Sequence, residues 1–145
     1  MVLIRFMSIQ EMEKYLAGEV LRNNTTWKRI NKTTSTGFCF FPAEPEPEQR
    51  LHYVSGVVSF DVVAVFELAA PIMLKKGVGK YRDPEQDTMQ SLFEALYTKP
   101  KMMEVEEYSL TEYSKQTLKL IRMGTVVLGR DCEWHLIWGE NKSDL

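Results

Sequence analysis

The stretch "FDVVAVFEL", Phe60–Leu68, carries seven apolar residues in nine, three of them valines, with no polar alternation. Such a run reads as a strand covered on both faces, because a half-solvated strand would alternate apolar with polar. The rest of the chain must therefore supply cover for two faces. Just upstream, "PAEPEPEQR" (Pro42–Arg50) places three prolines and three glutamates in an extended, acidic connection. A helix is excluded until the last proline, Pro47, and a short one is predicted around Glu48–Val54. Before the prolines, "TTSTGFCFF" (Thr33–Phe41) reads as a strand that opens on hydroxyls and ends in aromatics.

Further out, "VLIRFM" predicts a first strand. "SIQEMEKYLAGE" follows it, with Ser8 and Glu11 at capping-box spacing, an apolar stripe at Met12, Tyr15 and Leu16, and a stop at Gly18. The polar, basic segment Leu21–Lys32 shows neither period and is expected to be an exposed loop. On the C-terminal side, "KKGVGKYRDPEQD" reads as a glycine-bearing loop. Asp87 and Gln90 then repeat the capping-box spacing ahead of a helix with Leu92, Phe93 and Leu96 on one stripe. "KMMEVEEYSL" returns to strand, and "LKLIRMGTVVLGRDCEWHLIWG" predicts two or three strands with turns at Gly124 and at "GRD". The sum is an α+β chain of six or seven strands and two or three helices, with residues 1–145 forming one domain.

Composition limits the function classes. The chain of 145 residues is 44% hydrophobic and 26% charged, enough for one core. A net charge of −2 gives no global field for a phosphate backbone, so nucleic acid is not the expected partner. Cys39 and Cys132 lack CxxC spacing and suggest a reduced, cytoplasmic protein. No run reaches 18 apolar residues, and no membrane span is predicted. His52 and His135 stand alone, so no metal site is expected. "GVGKYR" lacks phosphate-loop spacing, and no G-x-S-x-G elbow is present. Trp27 between Arg22, Lys28 and Arg29 could stack on a base or cover a core edge.

Three groups of polar residues interrupt otherwise apolar strands: Arg5 in the first, Thr34, Ser35 and Thr36 at the start of the second, and Glu104, Glu106 and Glu107 in "MMEVEEY", where Glu104 and Glu106 are two apart. Residues two apart share a strand face, so the two carboxylates point the same way, with Tyr108 beyond. Plain readings exist for each: Arg5 snorkels or pairs with a carboxylate, the hydroxyls form a turn, and the glutamates face water.

In this order, Arg5, Ser35-Thr36 with Thr34 before it, and Glu104-Val105-Glu106 resemble the ADP-ribosyltransferase superfamily, in its class with an arginine, a Ser-Thr-Ser-like motif and a Glu-x-Glu. "IRFMSIQEMEKYLAGE" is similar to the strand, capped helix and glycine that open many of its small members. The resemblance implies a split mixed or antiparallel β-sandwich whose two small sheets hold NAD, as substrate, in a cleft without metal. It implies cofactor-binding roles for Arg5, Thr34, Ser35 and Thr36, and catalytic roles for Arg5, Glu104 and Glu106. Arg5 would grip phosphate oxygens. Glu106 would stabilise the oxocarbenium-like sugar as nicotinamide leaves, and Glu104 would contact substrate or ribose. The expected activity is ADP-ribosyl transfer to a protein acceptor, or NAD cleavage. The other reading from the residues is a noncatalytic nucleotide-binding, accessory or inhibitor protein that sequesters a ligand or contacts a protein target.

Overall fold

β-Branched and aromatic runs dominate the chain, and in the computed structural model they pair into one large antiparallel sheet. The structure describes residues 1–28, 34–44, 46–54, 60–82, 102–131 and 134–139. Seven strands make the sheet: β1 (Val2–Met7), β5 (Phe38–Pro42), β6 (Val62–Leu68), β7 (Lys75–Arg82), β8 (Met102–Leu110), β10 (Leu118–Leu128) and β11 (Trp134–Trp138). Their order is β11-β10-β6-β1-β5-β8-β7. Two short ribbons accompany it among the described residues: β2 (Leu21–Arg22) with β9 (Glu112–Tyr113), and β3 (Thr26–Lys28) with β4 (Thr34–Thr36).

The apolar run Val62–Leu68 forms β6, between β1 and β10, with both faces buried. Its alternate residues feed two cores. Val62, Ala64 and Phe66 join Leu3, Met7, Phe38 and Phe40 on one face, while Val63 and Val65 join Ile4, Phe6 and Phe41 on the other. Helix α1 (Ile9–Leu16) covers the first face with Met12 and Tyr15. Helix α2 (Pro47–Val54) brings Leu51 to the second. Each large apolar side chain so buried contributes about 1.5–3 kcal/mol. The local signals work as read: the Ser8 hydroxyl accepts the Glu11 N–H at 3.2 Å, α1 stops just before Gly18 at φ +83°, and α2 starts at Pro47, where a missing N–H costs nothing.

The expected α+β split sandwich is overturned: the described residues are mostly antiparallel β-sheet, with α1 and α2 as its helices. The reason lies in β5. Phe38, Cys39 and Phe40 pair with β8, whereas Phe41 and Pro42 pair with β1. One strand thus joins what would be two small sheets. Eleven strands form among the described residues instead of six or seven. The glycine-bearing segment from Lys75 is not a loop through Arg82 but strand β7, because its backbone pairs with β8 along eight residues. The exposed loop expected over Leu21–Lys32 contains β2 and β3, and Leu21 is buried. Gly124 is no turn. It lies inside β10 under the Trp138 ring, where an added Cβ would sit 3.1 Å from that ring. The helix expected after Asp87 lies outside the described residues.

Candidate binding cleft

Arg5 sits on the α1 face because strand alternation places it between Leu3 and Met7. The capped helix that follows β1 swings Glu11 over it. The Arg5 Nε and Nη2 donate to Glu11 Oε2 and Oε1 at 2.5 and 2.7 Å, and Nη1 donates to the Cys39 carbonyl at 2.9 Å. The guanidinium also lies 4.9 Å from the centre of the Phe38 ring and 5.6 Å from that of Phe40. Burial pulls its pKa down, but the Glu11 hydrogen bonds and charge outweigh this and leave it raised. From below, the Tyr113 hydroxyl donates to Glu11 Oε2 at 2.5 Å. Burial first, and then the Glu11 charge, push the Tyr113 hydroxyl far above its ordinary value. All three guanidinium nitrogens are therefore taken, and an incoming phosphate would have to displace Glu11.

Glu104 and Glu106 do share a face of β8 with Tyr108, and the structure adds a partner the sequence does not reveal. Lys76 on β7 stands opposite Tyr108. Glu106 Oε1 accepts from the Tyr108 hydroxyl at 2.6 Å and meets the Lys76 Nζ at 3.1 Å. The Tyr108 hydrogen bond, then Lys76, hold the Glu106 carboxyl below its ordinary pKa. Glu104 is exposed. The carboxylate that is buried, at 2% exposure, is Glu107 on the opposite face, across from Gly77. Arg5 and Glu106 are not brought together. The β1–β5 register, continued one residue, puts Phe40 beside Arg5, and Tyr108 lies beyond Phe40. Phe40 of β5 thus stands between the arginine and the strand that carries Glu106.

The hydroxyl triplet forms β4, with Thr34 opposite Lys28, Ser35 opposite Trp27 and Thr36 opposite Thr26. Ser35 is fully buried. Thr36 points its hydroxyl to within 3.3 Å of that of Thr26 and lines a cleft of about 390 Å³. Gly37 makes this corner possible. Its φ is +104°, and a Cβ there would collide with the Leu110 carbonyl of β8. Four further hydroxyl residues reach the cleft, Ser109, Thr111, Ser114 and Thr117. A turn holds two of them, with the Ser114 N–H donating to Thr117 Oγ1 at 3.0 Å and the Gln116 N–H to Ser114 Oγ at 3.2 Å. The sequence reading missed this second group. Its signal was the spacing of hydroxyls through "YSLTEYSKQT".

Tyr113 connects the cleft with the arginine. It lines the cleft, its ring packs against Phe38 and Phe40 with centroids 4.9 and 5.5 Å away, and its hydroxyl closes the Arg5–Glu11 pair. Elsewhere, His135 pairs with Asp131 at 2.9 Å on the β10–β11 hairpin. Among the described residues no group of three metal-ligating side chains forms, and no helix is long and apolar enough to cross a membrane. Cys132 lies outside the described residues. A scan against protein-family models and searches of curated proteins and of solved structures find no match to this chain. The site must be read from its own chemistry.

Proposed function

We propose that the chain is a noncatalytic binding protein that holds a small polar ligand of the nucleotide class in the hydroxyl-lined cleft and acts by sequestering it. The observation that supports this reading is a division of labour. Five hydroxyl residues line the cleft, while the arginine that could clamp a phosphate is spent on Glu11, Cys39 and two aromatic rings. Hydroxyls serve as both donors and acceptors, which matches ribose hydroxyls and phosphate oxygens alike. A cytoplasmic setting belongs to the same reading and rests on a chain with two cysteines and no CxxC.

A second reading, NAD cleavage, has one observation in its favour: Glu106 is kept ionised by Tyr108 and Lys76, as a stabiliser of developing sugar charge must be. Calorimetric titration with NAD, ADP-ribose and ATP, run beside an assay for nicotinamide release, separates the two. The binding reading predicts saturable heat with at least one nucleotide and no nicotinamide. Nicotinamide release that falls about 10²–10³-fold in Glu106→Gln would establish the second reading instead.

A further inference from the structure

The two edges of the large sheet differ in chemistry. The β7 edge reads "KKGVGKYR", with four cationic residues and two glycines in eight positions, the kind of guard that keeps an edge from pairing with another chain. The β11 edge reads "WHLIW" and carries no Lys, Arg, Asp, Glu or Pro. Ile137 on it is 58% exposed. Among the described residues, the β7 edge is guarded and the β11 edge is not.

We infer that β11 pairs with β11 of a second copy, antiparallel about Leu136, to make a two-fold dimer with a continuous sheet. Backbone direction supports the register. The Gly139 N–H donates to the Met123 carbonyl at 2.8 Å, so Gly139 turns its backbone groups toward β10. Continuing inward from that pair, alternate residues do the same. Ile137 and His135 therefore face β10, and Trp134, Leu136 and Trp138 turn their N–H and C=O groups outward. Pairing about Leu136 sets Leu136 against the partner's Leu136, and Trp134 against the partner's Trp138. Those are the residues with outward backbone groups on both copies, so every such group within the strand finds a partner.

The side chains agree with the same register. The strand is palindromic in its tryptophans about Leu136. On the α2 face, where Trp134, Leu136 and Trp138 are partly buried against the second core, the pairing makes two cross-strand Trp–Trp pairs, a stabilising combination in antiparallel sheets. Trp138 is already fixed for this. Its Nε1 donates to Glu48 of α2 at 2.6 Å, and Arg122 lies 3.4 Å over its ring. On the opposite face, exposed Ile137 comes to lie across from the partner's His135, which covers apolar area now in water. A five-residue strand gives a contact at the small end of specific interfaces, so dissociation in the micromolar range is expected.

Sedimentation velocity of the full chain across a concentration series tests the inference. The monomer mass is 16.9 kDa, and a species of twice that mass should fill in as concentration rises toward about 100 μM. Two variants locate the contact. Leu136→Pro deletes an outward N–H that β10 does not use. Ile137→Lys places a guarding charge on the exposed face and leaves the backbone alone. Each should weaken dimerisation at least about tenfold, with the circular dichroism of the parent retained. If Leu136→Pro fails to fold, Ile137→Lys decides alone. A parent that stays monomeric throughout the series overturns the proposal, as does a dimer that Ile137→Lys leaves intact. A monomer that captures an unrelated extended peptide on β11 overturns the second copy as occupant.

Discussion

Arg5 shows how a residue can be conspicuous in sequence for a structural reason. A charge on a central strand is costly unless paired, and α1 exists one turn away to pair it. With side chains 13% and 14% exposed, Arg5 and Glu11 form a largely buried bidentate pair. Removing one partner strands the other, at a cost of about 3–5 kcal/mol, whereas replacing both with apolar residues of similar volume can be close to neutral. Arg5→Leu should therefore lower the urea midpoint strongly, and Arg5→Leu with Glu11→Leu should recover part of the loss, the remainder being the cost of the buried Tyr113 hydroxyl left without its acceptor. Equal destabilisation in the single and double variants would mean the pair is not what holds β1 to α1. Tyr113 adds a pH dependence. Its folded pKa is raised, so between its ordinary value of about 10 and the folded value the native state keeps a proton that the unfolded chain loses. Stability is then complete below pH 10 and falls as pH climbs above it. Tyr15, raised by burial, acts in the same direction. Thermal melts from pH 8 to 11.5 should show this decline. It should be shallower in Tyr113→Phe, which also gives up about 1.5–3 kcal/mol for the lost charged hydrogen bond.

At the scale of elements, the corner between β4 and β5 has room for glycine alone. Gly37→Ala adds a Cβ at positive φ against the backbone of β8, so it should destabilise by about 1–3 kcal/mol or more, measurable by chemical denaturation. Gly18→Ala, also at positive φ but with open space around the Cβ position, should cost less. Elements whose signals were local could be read from the sequence: α1 from Ser8 and Gly18, α2 from Pro47, β6 from its unbroken apolar run. Elements made by partners could not. Glycines and lysines in β7 disfavour a strand in isolation, and only the β8 register makes one. The periodic stripe of α1 was right for Met12 and Tyr15 but not for Leu16, which is 45% exposed because it lies at the helix's final position. The candidate site was half legible. The hydroxyls of β4 stood out against a buried strand, whereas Ser109, Thr111, Ser114 and Thr117 come to one cleft only through the fold of β8 and the segment after it.

For the whole molecule, the hydroxyl cleft sits where the sheet's α1 face meets the β2–β9 and β3–β4 ribbons. Tyr113 joins that cleft to the buried Arg5–Glu11 pair, so the arginine stands behind the lining and is not part of it. Thr36→Val should weaken nucleotide binding by about 2- to 12-fold, the worth of one neutral hydrogen bond, and leave thermal stability nearly unchanged. The measurement that bears most directly on this account is a two-dimensional nitrogen-15 NMR titration with NAD. The account predicts that the backbone signals of Thr36, Thr111 and Ser114 move and saturate together, while those of Glu104 and Glu106 stay in place and no nicotinamide resonances grow in over time. Shifts centred on Glu104 and Glu106, with free nicotinamide accumulating, would contradict it.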